Sequence, residues 1–213
     1  MRGPLPDYPW DAMAPYSARA AAHPGGPLNL AVGSPVDPSP DSVREALAAA
    51  TDAHAYPATA GTPRLREAIA EWFARRRGVT VAPLAVLPTV GSKELVALLP
   101  FLLGLDQGEA VAFPRIAYPS YQMGAALVGA DAIAADDPAA WPAHTRLVWL
   151  NSPSNPDGRV MGIESLRAAV TRAREIGAVI VGDECYAEFG WEGPWASEPI
   201  PSILDPRVVG DDH

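Results

Sequence analysis

The 213-residue sequence predicts an α/β protein built on a mainly parallel sheet with helices on both faces. From Ala85 onward, short apolar runs with strand character alternate with segments whose apolar residues recur at helical spacing. Such alternation is typical of β–α–β units, in which helices connect parallel strands and pack on the sheet. Because 48% of the residues are hydrophobic and only 19% are charged, the chain can bury the core that this architecture needs.

The N-terminal part differs from the rest, since residues 1–40 are rich in proline and glycine and have no sustained hydrophobic period. They are predicted to form an extended arm that leads into a loop over residues 29–37. The first helix is expected near Ser42, because Ser42 and Glu45 have the spacing of a capping box.

The next helix has clear signals at both ends. Thr62 is predicted to cap it, Pro63 suits its first turn, and Gly78 is expected to end it. The run Arg75–Arg77 lies in the last turn, where cations interact favourably with the helix dipole. We interpret these three side chains as mostly solvent-exposed.

The remaining elements are predicted from the alternating pattern. Strands are expected over residues 86–90, 110–113, 130–135, 147–150 and 178–181, and helices over residues 92–103, 119–128 and 163–176. Polar motifs follow several of these strands. In an open α/β sheet the ligand crevice lies at the carboxyl ends of the strands, so these motifs are the candidate functional residues.

Charge and composition exclude several classes of function. The net charge of −9 would repel a nucleic-acid backbone, so nucleic acid is not expected as a partner. Cys185 is the single cysteine, which excludes an internal disulfide, and no Cys/His cluster has zinc-ligand spacing. No apolar run approaches the length of a membrane span, and the N-terminus has no signal-peptide core, so a cytoplasmic protein without a membrane partner is expected.

A turn between a predicted strand and a predicted helix contains Gly91, Ser92 and Lys93. Unpaired N–H groups at a helix start, together with the helix dipole, favour the binding of a phosphate group. The same turn is also common as a purely structural feature, so the signal is weak by itself. It matches neither a Walker loop nor a dinucleotide-binding fingerprint.

Two further motifs place polar side chains after strands: Asn155 follows the strand at 147–150, and Asp183 follows the strand at 178–181. Pyridoxal phosphate needs a carboxylate facing its pyridine nitrogen and donors at its phenolic oxygen, and an Asp and an Asn supply these groups. Taken alone, Asp183 with its neighbour Glu184 is better interpreted as a strand-end cap or a surface pair, and the functional interpretation depends on the company of the other motifs. Taken alone, Tyr56 and Tyr118 are interpreted as tyrosines that pack against other side chains. They gain a functional interpretation only when the other motifs form a binding site.

In this order and at these separations, the motifs resemble those of the class I/II aminotransferases of fold type I. Their signatures are similar to Tyr-x-x-x-x-Gly, Asn-Pro-x-Asn-Pro-x-Gly and Asp-Glu-x-Tyr, here at residues 56–61, 151–158 and 183–186. Within that family, the chain most resembles the actinobacterial-type succinyldiaminopimelate aminotransferases. The resemblance extends over almost the whole chain.

The resemblance implies a fold type I large domain over residues 41–213, incomplete at its C-terminal end, after an arm and small-domain segment over residues 1–40. It also implies pyridoxal phosphate as cofactor and a homodimer. The implied cofactor contacts are the Gly91 turn with the Ser92 and Lys93 backbone at the phosphate, Tyr118 stacked on the ring, Asn155 and Tyr186 at the phenolic oxygen, and Asp183 at the pyridine nitrogen. Tyr56 is implied to reach the phosphate bound by the neighbouring subunit, and Gly33 to line the substrate carboxylate site.

One family residue has no counterpart in this sequence. The Schiff-base lysine, in a motif similar to Ser-x-Ser-Lys, follows Asp-Glu-x-Tyr by some tens of residues, and the sequence stops at His213 before that position. Lys93 is the only lysine and lies in the phosphate turn instead. No catalytic residue is therefore assigned, and the chain is expected to be an N-terminal part that binds the cofactor weakly and turns over little.

The resemblance implies amino transfer between glutamate and N-succinyl-2-amino-6-ketopimelate, in lysine and diaminopimelate biosynthesis. The small-molecule partners are thus an amino donor and a keto acid. Two alternatives stay open. One is another amino-acid aminotransferase or a carbon–sulfur lyase of the same fold, and the other is a noncatalytic fragment that binds pyridoxal phosphate or a protein partner.

Overall fold

The computed structural model describes residues 5–7, 9–28, 30, 33 and 35–210. The chain divides into two compact units, one spanning Asp7–Thr59 and the other Ala60–His213 together with Met1–Pro6. The predicted division after residue 40, between an arm with a small-domain segment and a large domain, stays a prediction. In the described part of the chain, no helix is long and apolar enough to cross a bilayer.

In its described residues, the smaller unit contains two α-helices, α1 (Ala14–Ala21) and α2 (Asp41–Ala49). The prediction of an extended arm is wrong over α1, where an alanine-rich segment forms a helix. The helix expected near Ser42 is confirmed as α2. The prediction that Ser42 caps α2 is wrong, because the helix begins one residue earlier, after Pro40, and no side chain caps it. Pro40 is extended, with ψ of 141°, and thus makes the transition into the helix itself. The carboxylate of Asp41 lies in the first turn and accepts a 3.0 Å hydrogen bond from Arg44. Its negative charge interacts favourably with the positive end of the helix dipole.

The larger unit begins with α3 (Pro63–Trp72), which continues into a π-helical turn over Phe73–Arg77. The predicted cap is confirmed, since the side chain of Thr62 accepts a hydrogen bond from the backbone of Leu65 at 3.2 Å. The helical segment ends at Gly78 in the left-handed region, as predicted. The interpretation of Arg75–Arg77 as solvent-exposed is wrong for Arg77, because that residue is only 4% exposed.

The rest of this unit is a four-stranded sheet with helices between its strands. The strands are β1 (Ala110–Phe113), β2 (Asp131–Ala134), β3 (Thr145–Asn151) and β4 (Val179–Asp183), and the helices are α4 (Ser92–Leu102), α5 (Ser120–Val128), α6 (Ile163–Glu175) and α7 (Pro206–Val209). All neighbouring strands are parallel, in the order β2-β1-β3-β4. The predicted parallel α/β sheet is thus confirmed.

One predicted strand is absent. Residues 86–90 pair with no strand of the described sheet and follow a 3₁₀ turn at Pro83–Ala85 instead. Pro88 cannot donate to a ladder, and Val90 is 99% exposed, so the apolar run neither pairs nor packs as a strand. The β-branched composition of the segment was therefore a misleading signal.

Helices cover both faces of the sheet, as predicted. Alternate residues of β1 and β3 point to opposite sides, as expected from the period of two in a strand. On one face a core with α4 and α5 contains Val96, Val111, Phe113, Tyr121, Ala125, Leu147 and Trp149. On the other face a core with α6 contains Ala112, Val148, Leu150, Leu166, Ala169 and Val170. The two cores hold the carboxyl ends of β1, β3 and β4 at one edge.

Candidate active site

The strand order creates a crevice at the carboxyl ends of β1 and β3. From β1 the chain crosses to β2 on one side and later to β3 on the other side, so the connections diverge between β1 and β3. Ligands of open α/β sheets bind at such a switch point. The loop after β1 carries Tyr118, and the loop after β3 carries Asn155.

Asn151 and Asp183 are the last residues of β3 and β4, and they are direct partners across the two strands. The side-chain amide of Asn151 donates to the backbone oxygen of Asp183 at 3.1 Å. Its side-chain oxygen accepts from the backbone N–H of Asn155 at 2.8 Å. Asn151 therefore ties the loop after β3 to the end of β4.

A pocket of about 210 Å³ lies at this edge. Six of the side chains predicted from the sequence line it, namely Ser92, Lys93, Tyr118, Asn155, Asp183 and Tyr186, together with Val96, Tyr121, Asn151 and Cys185. Gly91 immediately precedes Ser92 as the N-cap of α4. These residues come from four separate segments, residues 91–96, 118–121, 151–155 and 183–186, and the sheet brings them together.

The carboxylate of Asp183 is held by two donors. The phenol of Tyr121 donates to Oδ2 at 2.7 Å, and the backbone N–H of Cys185 donates to Oδ1 at 3.3 Å. Tyr121 is 1% exposed and packs against Trp149, with 5.2 Å between ring centroids. Burial raises the pKa of Tyr121 well above its ordinary value, and the hydrogen bond and charge of Asp183 add to this, so the phenol stays a donor.

Tyr186 and Asn155 form a second polar pair in the pocket. The amide of Asn155 donates to the hydroxyl oxygen of Tyr186 at 3.3 Å. Burial raises the pKa of Tyr186, and the charge of Asp183 contributes to the same shift. Because the Tyr186 oxygen accepts from Asn155, the hydroxyl proton of Tyr186 is left for another acceptor.

Cys185 lies between these two polar pairs. It is exposed as a residue, yet partial burial and then the charge of Asp183 raise the pKa of its thiol to about 12. A thiol with this pKa is protonated at neutral pH and is a poor nucleophile. We therefore give Cys185 no chemical role in the pocket.

The start of α4 forms the other wall of the pocket. Gly91 has φ of 81°, a conformation that side-chain-bearing residues rarely adopt, and it turns the chain into the helix. The first-turn N–H groups of a helix and its dipole attract anions. The amine of Lys93 lies 5.9 Å from the centre of the Tyr118 ring, so a cation and an aromatic face adjoin this helix start.

Two predicted site residues belong to the smaller unit. Tyr56 is fully exposed there, so its side chain is accessible. Gly33 is also exposed, and nothing lies within 4 Å of the position of a Cβ. Residues 29, 31, 32 and 34 of the predicted loop lie outside the described part of the chain. The roles of Tyr56 and Gly33 stay predictions.

Tyr121 and Asn151 organise the pocket, and no role was predicted for either of them from the sequence. The usable signal for Tyr121 was its place in the first turn of the predicted helix over residues 119–128, three residues after Tyr118. Asn151 had a signal too, as the last residue of an apolar strand run. Neither signal identifies the partner, since both contacts depend on strand pairing.

A larger pocket of about 550 Å³ adjoins the first and shares Asn155 and Tyr186 with it. Its other lining residues are rich in aromatic rings and include Phe189, Trp191 and Trp195, with the acidic Asp157 and Glu192. Within the described part of the chain, no group of His, Cys, Asp and Glu side chains has the arrangement of a metal site.

Comparison with known proteins decides the family. The family model for aminotransferase class I and II matches residues 26–208. The chain belongs to the class I and II aminotransferases. Enzymes of this family are generally pyridoxal phosphate-dependent and use an amino donor and a keto acid.

Two curated relatives of this chain and one solved structure that resembles it are informative. The 4-dedimethylamino-4-oxo-anhydrotetracycline transaminase OxyQ of Streptomyces rimosus is 54% identical over 98% of the chain and 57% of its own length. An LL-diaminopimelate aminotransferase of Desulforudis audaxviator is 34% identical over 86% of the chain and 50% of its length. The structure of N-succinyldiaminopimelate aminotransferase from Mycobacterium tuberculosis has a TM-score of 0.77 and 27% identity, over 95% of this chain and 54% of that one. The chain thus spans about half the length of the aminotransferases that it matches.

Proposed function

We propose that the pocket at the ends of β3 and β4 binds pyridoxal phosphate and serves amino transfer between an amino donor and a keto acid. The observation that carries this proposal is the Asp183 carboxylate, which is fixed by Tyr121 and a backbone N–H inside a pocket that also holds Asn155 and Tyr186. When bound, the cofactor supplies an electron sink for the bond changes at the substrate.

The chain's own residues fit that ligand. Asp183 would face the pyridine nitrogen and keep a proton on it, and the donor hydrogen bond from Tyr121 keeps the carboxylate in that orientation. Asn155 and Tyr186 would hold the phenolic oxygen through the amide and hydroxyl protons that their mutual hydrogen bond leaves available. Both pairs act by binding and orienting the ligand.

The start of α4 would hold the phosphate. Backbone N–H groups of Ser92 and Lys93 lie in the first turn of the helix, after the bend at Gly91. Tyr118 is partly buried at the edge of the pocket, where its ring would stack on the flat cofactor. We assign no proton-transfer residue, because Lys93 belongs to the phosphate end of this arrangement.

For the substrate we propose N-succinyl-2-amino-6-ketopimelate, with glutamate as amino donor. The motif resemblance supports this assignment, and so does the similarity to diaminopimelate and succinyldiaminopimelate aminotransferases. The reaction would belong to lysine and diaminopimelate biosynthesis. Gly33 is proposed to line the site of the substrate carboxylate.

A second candidate acceptor is a polycyclic ketone. OxyQ, at 54% identity, is named as a transaminase of an oxo-anhydrotetracycline, and its identity is higher than that of the diaminopimelate enzyme compared above. The larger pocket supports the same candidate, since its Phe189, Trp191 and Trp195 rings suit a flat apolar ligand. Its acidic residues Asp157 and Glu192 do not favour a succinyl carboxylate at that position.

An amino-transfer assay separates the two acceptors. The protein encoded by the complete gene, loaded with pyridoxal phosphate, is given glutamate and either acceptor, and formation of 2-oxoglutarate is measured. The first proposal predicts a kcat/KM at least about tenfold higher for the succinylated keto acid, a difference of about 1.4 kcal/mol in transition-state binding. A preference for the ring ketone would select the second candidate, and no transfer to either would contradict both assignments.

We also propose a cytoplasmic homodimer. In that assembly, Tyr56 would reach the phosphate bound by the neighbouring subunit, which is consistent with its full exposure. Sedimentation equilibrium measures the stoichiometry directly. A Tyr56→Phe variant that dimerises and binds pyridoxal phosphate as tightly as wild type would contradict the role proposed for the Tyr56 hydroxyl.

A further inference from the structure

The end of α3 packs against the segment that follows Asp183. The guanidinium of Arg77, in the π-helical turn, donates to the Glu184 carboxylate at 3.1 Å, and its other nitrogen donates to the backbone oxygen of Ala187 at 3.4 Å. The Arg77 side chain is 1% exposed and that of Glu184 is 17% exposed. Residues 77 and 184 thus form a buried ion pair between distant parts of the chain.

Glu184 is fixed on its other side as well. Its Oε1 accepts from the hydroxyl of Ser202 at 2.8 Å and from the backbone N–H of Ile203 at 2.7 Å. With the bond from Arg77, both carboxylate oxygens are occupied. A buried carboxylate held by three donors has one orientation, so it fixes the backbone at the end of β4.

A second arginine, Arg76, binds the same segment at Glu188, two residues after Tyr186. Arg76 donates to one oxygen of Glu188 from two nitrogens, at 2.6 and 2.9 Å. The two arginines therefore bind Glu184 and Ala187–Glu188, which flank Tyr186 on both sides. Tyr186 itself makes its hydrogen bond with Asn155 inside the candidate cofactor pocket.

We propose that Arg76 and Arg77 are positioning residues that hold the segment Glu184–Glu188 so that the Tyr186 hydroxyl faces the pocket. The inference rests on the proposed function, because it concerns the residue assigned to the phenolic oxygen of pyridoxal phosphate. Arginine suits this task because its planar fork binds two acceptors at fixed angles, which a lysine cannot do. The third arginine of the run, Arg75, is exposed and makes no ion pair among the described residues, so it provides a matched control.

The first test needs no cofactor. Cys185 lies inside the held segment and is the only cysteine, so its reaction with Ellman's reagent reports on this segment alone. Arg76→Ala or Arg77→Met should speed the reaction at least about fivefold, because local opening moves the already exposed thiol away from the Asp183 charge and lowers its raised pKa, so that more thiolate is present. Arg75→Ala should change the rate less than about twofold. Equal rates in all three variants would overturn the proposal.

The second test asks whether the arginines act through Tyr186. The dissociation constant of pyridoxal phosphate is measured for wild type, Arg76→Ala, Tyr186→Phe and the double variant. We expect Arg76→Ala to weaken binding about fivefold in wild type and less than about twofold in the Tyr186→Phe background. Arg76→Ala is preferred here because its side chain is half exposed, so that the variant keeps its fold even where Arg77→Met does not.

The outcomes separate this inference from the proposed function. Wild type that binds no pyridoxal phosphate would contradict the proposed function, whereas the thiol rates would still test the positioning. If wild type and Arg76→Ala bind pyridoxal phosphate equally well, the positioning role is overturned and the proposed function is not. Equal weakening by Arg76→Ala with and without the Tyr186 hydroxyl would also overturn it, because additive effects indicate general destabilisation.

Discussion

At the scale of single residues, Tyr121 decides how Asp183 is presented to the pocket. Its phenol is buried against Trp149 and gives one oxygen of Asp183 a short hydrogen bond. Hydrogen bonds to charged groups are worth more than neutral ones, and a buried oxygen without a donor is costly. The hydroxyl thus contributes both to the stability of the fold and to the orientation of the carboxylate.

Tyr121→Phe should therefore lower the free energy of unfolding by about 1–3 kcal/mol, since one carboxylate oxygen loses its donor. Urea denaturation followed by circular dichroism measures this. Tyr118→Phe is the matched control, three residues away, and it should change stability by less than about 0.5 kcal/mol. Equal effects of the two substitutions would show that the Tyr121 hydrogen bond contributes nothing specific.

Alkaline pH should destabilise the larger unit. The thiol of Cys185 has a pKa of about 12 instead of 9.0, and the pKa of Tyr121 is raised above its ordinary 10.0. Between pH 9 and 11 the unfolded chain loses these protons while the folded chain keeps them, so the stabilisation present below pH 9 is lost as pH rises. Urea titrations at pH 8, 9, 10 and 11 measure the loss.

The variants Cys185→Ser and Tyr121→Phe should each make this pH dependence less steep, because each removes one of the groups whose pKa is raised in the folded chain. A wild-type profile as flat as that of the double variant would contradict the raised pKa values.

Much of the candidate site was predictable at this scale, since Asn155, Asp183 and Tyr186 lie in short motifs next to strand ends. Tyr121 was not, because its partner is 62 residues away and only the sheet brings them together. The same reason applies to Arg77. An arginine in a charged run at a helix end is normally solvated, and nothing local predicts the distant carboxylate of Glu184.

At the scale of elements, the end of β4 is closely packed against the segment that contains Ile203. A Cβ at Gly182 would lie 2.9 Å from the Ile203 side chain and 3.3 Å from a Glu184 oxygen. Glycine thus lets residues 202–204 approach the strand closely enough to bind Glu184. The position of Asp183, the next residue, depends on this packing.

Gly182→Ala should cost about 1–3 kcal/mol of stability, because the methyl group displaces a branched side chain in a packed core. Gly162→Ala is the control, since nothing lies within 4 Å of its Cβ position and glycine is only the N-cap of α6 there. That change should cost a few tenths of a kcal/mol. Thermal unfolding of both variants compares them, and equal melting temperatures would contradict the close packing described here.

The observed helix boundaries agree with the predicted ones where the sequence supplies both a start signal and an end signal. Thr62, Pro63 and Gly78 give α3 a cap, a first turn and an end, and each has the predicted place. A β-strand needs a neighbouring strand to pair with as well as an apolar sequence. Residues 86–90 are apolar, but they have no pairing strand in the described sheet. Ser42 does not cap α2, because the helix begins directly after Pro40. A capping-box spacing was therefore not sufficient to predict the cap.

At the scale of the whole molecule, the parallel sheet explains why the motifs converge. Parallel strands bring all their carboxyl ends to one edge, and the divergence of the connections between β1 and β3 opens the crevice there. The alternation of strands and helices predicts this architecture, but it does not give the strand order. The contacts among the pocket residues therefore required the structure.

We propose that Asp183 makes this pocket a pyridoxal phosphate site. Equilibrium dialysis of the 213-residue chain against pyridoxal phosphate tests it directly, comparing wild type with Asp183→Asn and with Asp157→Asn, a carboxylate of the adjoining pocket. We expect saturable binding that weakens about 10–100-fold in Asp183→Asn, where the charge is lost but the Tyr121 contact is kept, and that is unchanged in Asp157→Asn. Binding that is absent in wild type, or equally tight in all three proteins, would contradict the account.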